Sequence, residues 1–151
     1  SLLRNGFALT VRDLNREMAE LLLAKGASWG ESPRAMAESV DLIITCLPSP
    51  AASAAVMEAE DGILAGLSAG QIWAEMSTTD ESEVKRLGAL VQVKGAEPID
   101  CPVSGGVTGL QLATSRFWPD ASVRPSNVHC QPSRPWAGVF CTPGLWAPRR
   151  S

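Results

Sequence analysis

The chain has no apolar run of the about 18–20 residues that a membrane-spanning helix needs. Its longest, residues 42–47, is interrupted by Thr45. Nor has it an excess of positive charge, since 13 Lys and Arg stand against 16 Asp and Glu for a formal net charge of −3. That excludes a generally basic nucleic-acid binder and leaves no attraction to an anionic membrane. Closely spaced cysteines are absent too. Cys46, Cys101, Cys130 and Cys141 make neither a CxxC pair nor a zinc knuckle, so no metal site is expected and each reads as a buried or incidental thiol. No charged segment leading into an apolar core opens the sequence, so no targeting signal is visible and the expected location is the cytoplasm. What is present is 151 residues with 45% apolar content, enough for one domain with a core and too apolar for disorder throughout.

The composition breaks near residue 109. Residues 1–109 hold eight basic and fifteen acidic side chains, whereas residues 110–151 hold five Arg, no Lys and a single acid, Asp120. The tail also carries six of the eleven Pro and three of the five Trp. Proline removes a backbone donor and clashes with the preceding turn, so the tail has no window for a long helix. The expected organisation is a folded domain over 1–109 and an irregular or disordered tail over 110–151. A further hypothesis for the tail is an out-of-frame reading. Codons can be chosen for residues 110–120 whose adjacent frame gives a small, apolar strand, and such a shift accounts for the excess of Arg, Pro, Ser and Trp. His129, the only histidine, falls in this tail and carries no expected role.

Over residues 1–109, strand and helix patterns alternate. Residues 7–11 read as a strand, followed by Asn15 as an N-cap, an apolar stripe at Met18, Leu21 and Leu22, and Gly26 as the stop. Ser32-Pro33 opens a second helix, and residues 41–47 form a continuous apolar, β-branched strand of the kind covered on both faces. Pro48-Ser49-Pro50 stops that strand and begins a helix to Glu58. Residues 71–76 give a third strand. Thr78 to Glu81 fits a capping box ahead of a helix with Val84, Leu87, Leu90 and Val91 on one face. This alternation predicts an α/β fold with a doubly wound parallel sheet and right-handed crossovers.

In such sheets ligands bind at the carboxyl ends of the strands. Those ends are Asp13, Leu47-Pro48, Ser77-Thr78 and residues 102–106. A carboxylate at Asp13 can accept both hydroxyls of an adenosine ribose and would repel a 2′-phosphate, although the adjacent Arg12 works against that exclusion. Taken singly, it also fits a helix-capping aspartate. Leu47-Pro48 offers a flat apolar wall, and Ser77-Thr78 offers hydroxyl donors to a bound ring. Ser104-Gly105-Gly106 exposes consecutive amides that suit a carboxylate, or makes a tight turn.

Taken in order, Asn5-Gly6, Asp13, Ile43 to Pro50, Met76-Ser77-Thr78 and above all Asp100-Cys-Pro-Val-Ser-Gly-Gly-Val107 resemble the β-hydroxyacid dehydrogenase family, which includes 3-hydroxyisobutyrate and 6-phosphogluconate dehydrogenases. The resemblance covers residues 1–109. It implies a Rossmann-like domain for NAD or NADP, with NAD favoured, and interconversion of a small 3-hydroxy acid and its semialdehyde. It assigns Asp13, Leu47, Pro48, Ser77 and Thr78 to the cofactor and Ser104, Gly105 and Gly106 to the substrate carboxylate. The family's polar residue after the Leu-Pro pair is replaced here by Ala51-Ala52-Ser53-Ala54. The family opens with a central strand and a glycine-rich phosphate turn, and the first residues here match the helix after that turn. Its catalytic lysine lies beyond the signature, and no Lys follows Lys94. The expectation is therefore a fragment of such a domain, lacking its first strand and showing little turnover by itself. A non-catalytic nucleotide- or carboxylate-binding module is the alternative.

Overall fold

The computed structural model describes residues 2–77, 80–104, 116–117 and 138–141. A short 3₁₀ turn at Leu3–Asn5 ends on Gly6, whose φ of 80° is the left-handed value that glycine adopts without strain. Strand β1 (Thr10–Arg12) follows. Asn15 caps the next turn by accepting the Glu17 amide, and one 3₁₀ turn (Arg16–Ala19) continues into α1 (Glu20–Leu23). Strand β2 (Ser28–Trp29), which the periodicity did not announce, returns beside β1. Helix α2 (Pro33–Ser39) is capped by the Ser32 hydroxyl, which accepts the Ala35 amide at 3.1 Å. Strand β3 (Leu42–Cys46) is the β-branched run. Helix α3 (Pro50–Glu58) is capped in the same way by Ser49 on the Ala52 amide at 3.2 Å. Proline sits in the first turn of both helices, where its missing N–H costs nothing.

After the single turn α4 (Ile63–Gly66) and strand β4 (Ile72–Glu75), the chain enters α5 (Glu81–Val93). The expected capping box gives way to a stronger cap. The Asp80 carboxylate accepts the Ser82 and Glu83 amides at 2.9 and 3.2 Å, and a full negative charge suits the helix N-terminus better than a hydroxyl. Strand β5 (Glu97–Asp100) completes this half, while β6 (Val103–Ser104) pairs antiparallel with β7 (Arg116–Phe117) in a separate ribbon.

The main sheet has six strands, all parallel, in the order β2-β1-β8-β3-β4-β5. Strand β8 (Gly138–Cys141) comes from the tail. It lies between β1 and β3, with Val139 in register with Val11 on one side and Ile44 on the other. The doubly wound parallel sheet is thus as the sequence implies, but its centre is not left open. With no strand in that slot, the facing amides and carbonyls of β1 and β3 would be unpaired. Instead, four residues of the tail occupy that slot.

Two apolar clusters flank this centre. Ile43 and Trp73, from β3 and β4, pack with Met36, Met57, Ile63, Leu87 and Val91 from the helices, and none of these is more than 1% exposed. Leu9, Val11 and Ala19 form the smaller cluster with Leu22, Leu23 and Trp29. On the surface Arg86 of α5 bonds both Glu58 at the end of α3 and Glu83, and holds both carboxyls below their ordinary value.

Gly66 of α4 lies close against the backbone of α2. A Cβ there would collide with the Arg34 carbonyl oxygen, which is backbone and cannot swing away. Gly66→Ala is expected to cost about 1–3 kcal/mol through overpacking, measured as a lower urea midpoint with an unchanged slope. A chain ending at residue 137 tests the central strand: amide exchange should quicken in Thr10–Arg12 and Leu42–Cys46 while Trp73 in β4 stays protected.

Candidate functional site

The chain leaves the sheet's centre in both directions, through β1 and β2 on one side and through β3, β4 and β5 on the other. The strand order therefore reverses at β8, and the reversal parts the loops above it into a crevice. A cleft of about 320 Å³ lies there, at the lower end of the about 300–1,000 Å³ usual for small-molecule sites. One wall is the end of β1, with Asp13 and Leu14. Another is Leu47-Pro48 at the end of β3, and a third is the face of α3 made by Ala52, Ala55 and Val56, continued by its C-cap Ala59. The lining is mostly apolar, with carboxylates at Asp13 and Asp61 and the Arg12 side chain beside them.

Three of the expected cofactor residues, Asp13, Leu47 and Pro48, thus border one cleft. Asp13 is half-buried and accepts the Asn15 amide at 2.8 Å through one carboxylate oxygen. Burial raises its pKa from 3.8, and hydrogen bonds from the Asn15 and Leu14 amides counter part of that rise. Its neighbour Arg12 turns to β2. The guanidinium donates to the Gly30 and Glu31 carbonyls at 2.9 and 2.5 Å and lies 5.9 Å from the Trp29 ring centre, where Arg16 stacks at 5.0 Å.

Ser77 is buried behind Leu47 rather than on the cleft wall. Its hydroxyl accepts the Leu47 amide at 2.7 Å and donates to Glu75. Thr78, Gly105 and Gly106 lie outside the described residues. Ser104 belongs to β6, separated from the end of β5 by two residues. Cys46 and Cys101 are both held neutral. Burial raises each thiol, the Glu75 charge adds to it, and Cys101 reaches about 11 with Asp100 contributing, so neither is a nucleophile near neutral pH. Among the described residues no cluster of His, Cys, Asp and Glu could hold a metal ion, and no helix is long and apolar enough to cross a membrane.

The sequence reading missed Glu75, among the described residues the one charged side chain in the buried core. Its signal was a carboxylate in an apolar strand (Ile72–Glu75), one position past Ala74 and facing Thr45 across the ladder. Ser53, the one hydroxyl in the alanine stretch after Pro50, points the same way. It is buried and donates to Glu75 at 3.3 Å, so it serves the core and not the cleft.

A six-stranded doubly wound parallel sheet with a ligand-sized cleft at its switch point defines a dinucleotide-binding domain of the Rossmann class. The chain belongs to the family of the NAD-binding domain of 6-phosphogluconate dehydrogenase, whose model matches residues 1–119. It is 30% identical over 128 residues to a probable mitochondrial 3-hydroxyisobutyrate dehydrogenase of Dictyostelium discoideum, covering 85% of this chain and 40% of that protein. It is 32% identical over 117 residues to an NAD-dependent L-serine dehydrogenase of Pseudomonas aeruginosa, covering 78% of this chain and 39% of that one. Among solved structures, Psf3 in complex with NADP+ and 2-OPP superposes with a TM-score of 0.70 at 29% identity, covering 80% of this chain and 44% of that one. The chain spans about two fifths of the length of these curated relatives and matches the nucleotide-binding part of the family.

Proposed function

We propose that the chain is the nucleotide-binding part of an NAD-dependent dehydrogenase that interconverts a small 3-hydroxy acid and its semialdehyde. The observation that carries this reading is the cleft, which gathers Asp13, Leu47 and Pro48 opposite the small-residue face of α3. Its shape and chemistry fit the adenosine half of a dinucleotide. Alanines leave room for a flat ring, Leu47 and Pro48 wall it, and Asp13 offers a carboxylate to a ribose diol.

Asp13 also favours NAD over NADP. A 2′-phosphate placed at its carboxylate would meet like charge, whereas Arg12, which also lines the cleft and spends only Nη1 on the Gly30 and Glu31 carbonyls, works against that exclusion. A nicotinamide nucleotide bound here supplies the hydride donor or acceptor. We assign Leu47-Pro48 to closing one side of it, and Ser104, Gly105 and Gly106 to the substrate carboxylate. The substrate class is supported by the names of the relatives, since 3-hydroxyisobutyrate and L-serine are both small acids with a hydroxyl on the third carbon.

Fluorescence titration of the chain with NADH and NADPH tests the cofactor assignment. NADH is expected to bind more tightly, and Asp13→Asn to weaken it by about tenfold, roughly one charge-assisted hydrogen bond. Absence of saturable binding by either nucleotide would overturn the reading. The pH dependence has a definite sign. The ionised Asp13 accepts the hydroxyls and burial raises its pKa, so NADH affinity should fall on acidification while the pH is still above 3.8. Asp13→Asn should remove that step.

A further inference from the structure

The Glu75 carboxylate is fully buried, and among the described residues no salt bridge includes it. Such a charge is tolerated only when its oxygens are well supplied with donors. Oε2 accepts the Thr45 hydroxyl at 3.0 Å and the Ser53 hydroxyl at 3.3 Å. Oε1 accepts the Ser77 amide at 2.8 Å and also the Ser77 hydroxyl. The donors come from β3, α3 and the turn after β4, so one side chain gathers three elements. Two of the three hydroxyls are themselves fixed by a further donor. Trp73 Nε1 donates to Thr45 Oγ1 at 2.9 Å, and the Leu47 amide donates to Ser77 Oγ at 2.7 Å.

The second relay reaches the cleft. Leu47 is a wall residue, and its amide hydrogen bond ends on a serine whose proton is drawn toward Glu75. We propose that Glu75 is a positioning residue. Acting through Ser77, it fixes the end of β3 against the turn after β4, and so sets the wall that Leu47 and Pro48 present to a bound nucleotide. The inference rests on the nucleotide reading for its consequence, but the Glu75–Ser77–Leu47 relay can be measured without any ligand.

The two oxygens have different roles, which gives the test its discrimination. The Ser77 amide can only donate, so a glutamine at position 75 must place its oxygen at the Oε1 position and its NH₂ toward Thr45 and Ser53, whose hydroxyls can turn to accept. Glu75→Gln therefore keeps the relay to Leu47. Glu75→Asp is one methylene shorter and cannot span from β4 to both sides.

The experiment measures amide hydrogen exchange residue by residue in the full chain, with NADH titration alongside. In Glu75→Asp the Leu47 amide should exchange about tenfold or more faster, as expected for losing support from a charged group, while Ile43 and Trp73 in the same strands change far less. NADH affinity should fall with it, and Glu75→Gln should restore both. If Glu75→Asp does not fold, Ser77→Ala takes its place and should release the Leu47 amide in the same selective way. Unchanged Leu47 protection overturns the proposal. So does an equal loss across Ile43, Leu47 and Trp73, which is what a purely structural carboxylate would give. If wild type shows the relay but does not bind NADH, the nucleotide reading fails, and with it the proposed consequence at the cleft.

Discussion

A strand at the centre of a parallel sheet has two edges to satisfy, and the chain can leave that centre in opposite directions only if something fills it. Among the described residues β1 and β3 share no ladder, and β8 is what joins the two sides of the sheet. The slot makes heavy demands on backbone geometry and few on sequence. Pairing on both sides uses main-chain groups, so Gly138–Cys141 fits through register and extended shape. The same constraint creates the cleft, because loops diverge only where strand order reverses.

Above that reversal, the cleft is held by polar groups buried beneath it. Apolar packing fixes helices to the sheet but has no direction, and it leaves a strand end free to shift by tenths of an ångström. Hydrogen bonds to a buried carboxylate have direction, and they are strong because the surroundings cannot screen them. Glu75 uses four of them at the point where β3 and β4 stop being strands. Asp13 is the opposite kind of carboxylate. Half-buried at the mouth and held on one oxygen by the Asn15 amide, it remains accessible to an incoming hydroxyl.

Much of this architecture was legible in the sequence because its signals are local. Ser32-Pro33 and Ser49-Pro50 announce their helices through a hydroxyl and a ring that suit the first turn, and the β-branched run at 42–46 cannot comfortably be anything but a strand. The convergence of Asp13 with Leu47 and Pro48 followed from topology, since parallel strands bring their carboxyl ends to one edge. What stayed hidden depends on distance along the chain. Strand β2 is two residues long, and β8 lies in a proline-rich tail whose composition argues against regular structure. The Asp80 cap was displaced from the expected box because a carboxylate satisfied two amides at once. Ser77 looked like a donor to a ligand. Its commitment to Leu47 and Glu75 is visible only once two strands thirty residues apart are adjacent.

Helix α3 shows how one segment can be written for two partners. Its sequence, Pro-Ala-Ala-Ser-Ala-Ala-Val-Met-Glu, has no polar stripe, and an isolated surface helix of that composition would be poorly solvated on one side. Ser53 and Met57, four apart, face the core and are buried. Ala52, Ala55, Val56 and the C-cap Ala59 face the cleft, where Ala55 and Ala59 remain exposed. Alanine is the natural choice for such a face. It holds the helix by propensity alone, presents apolar surface without filling the space, and leaves a flat floor on which a ring can lie. A larger residue would close the cleft and a charged one would keep water in it. The composition of α3 is therefore accounted for by the sheet on one side and, on the other, by the planar, apolar part of the nucleotide proposed here.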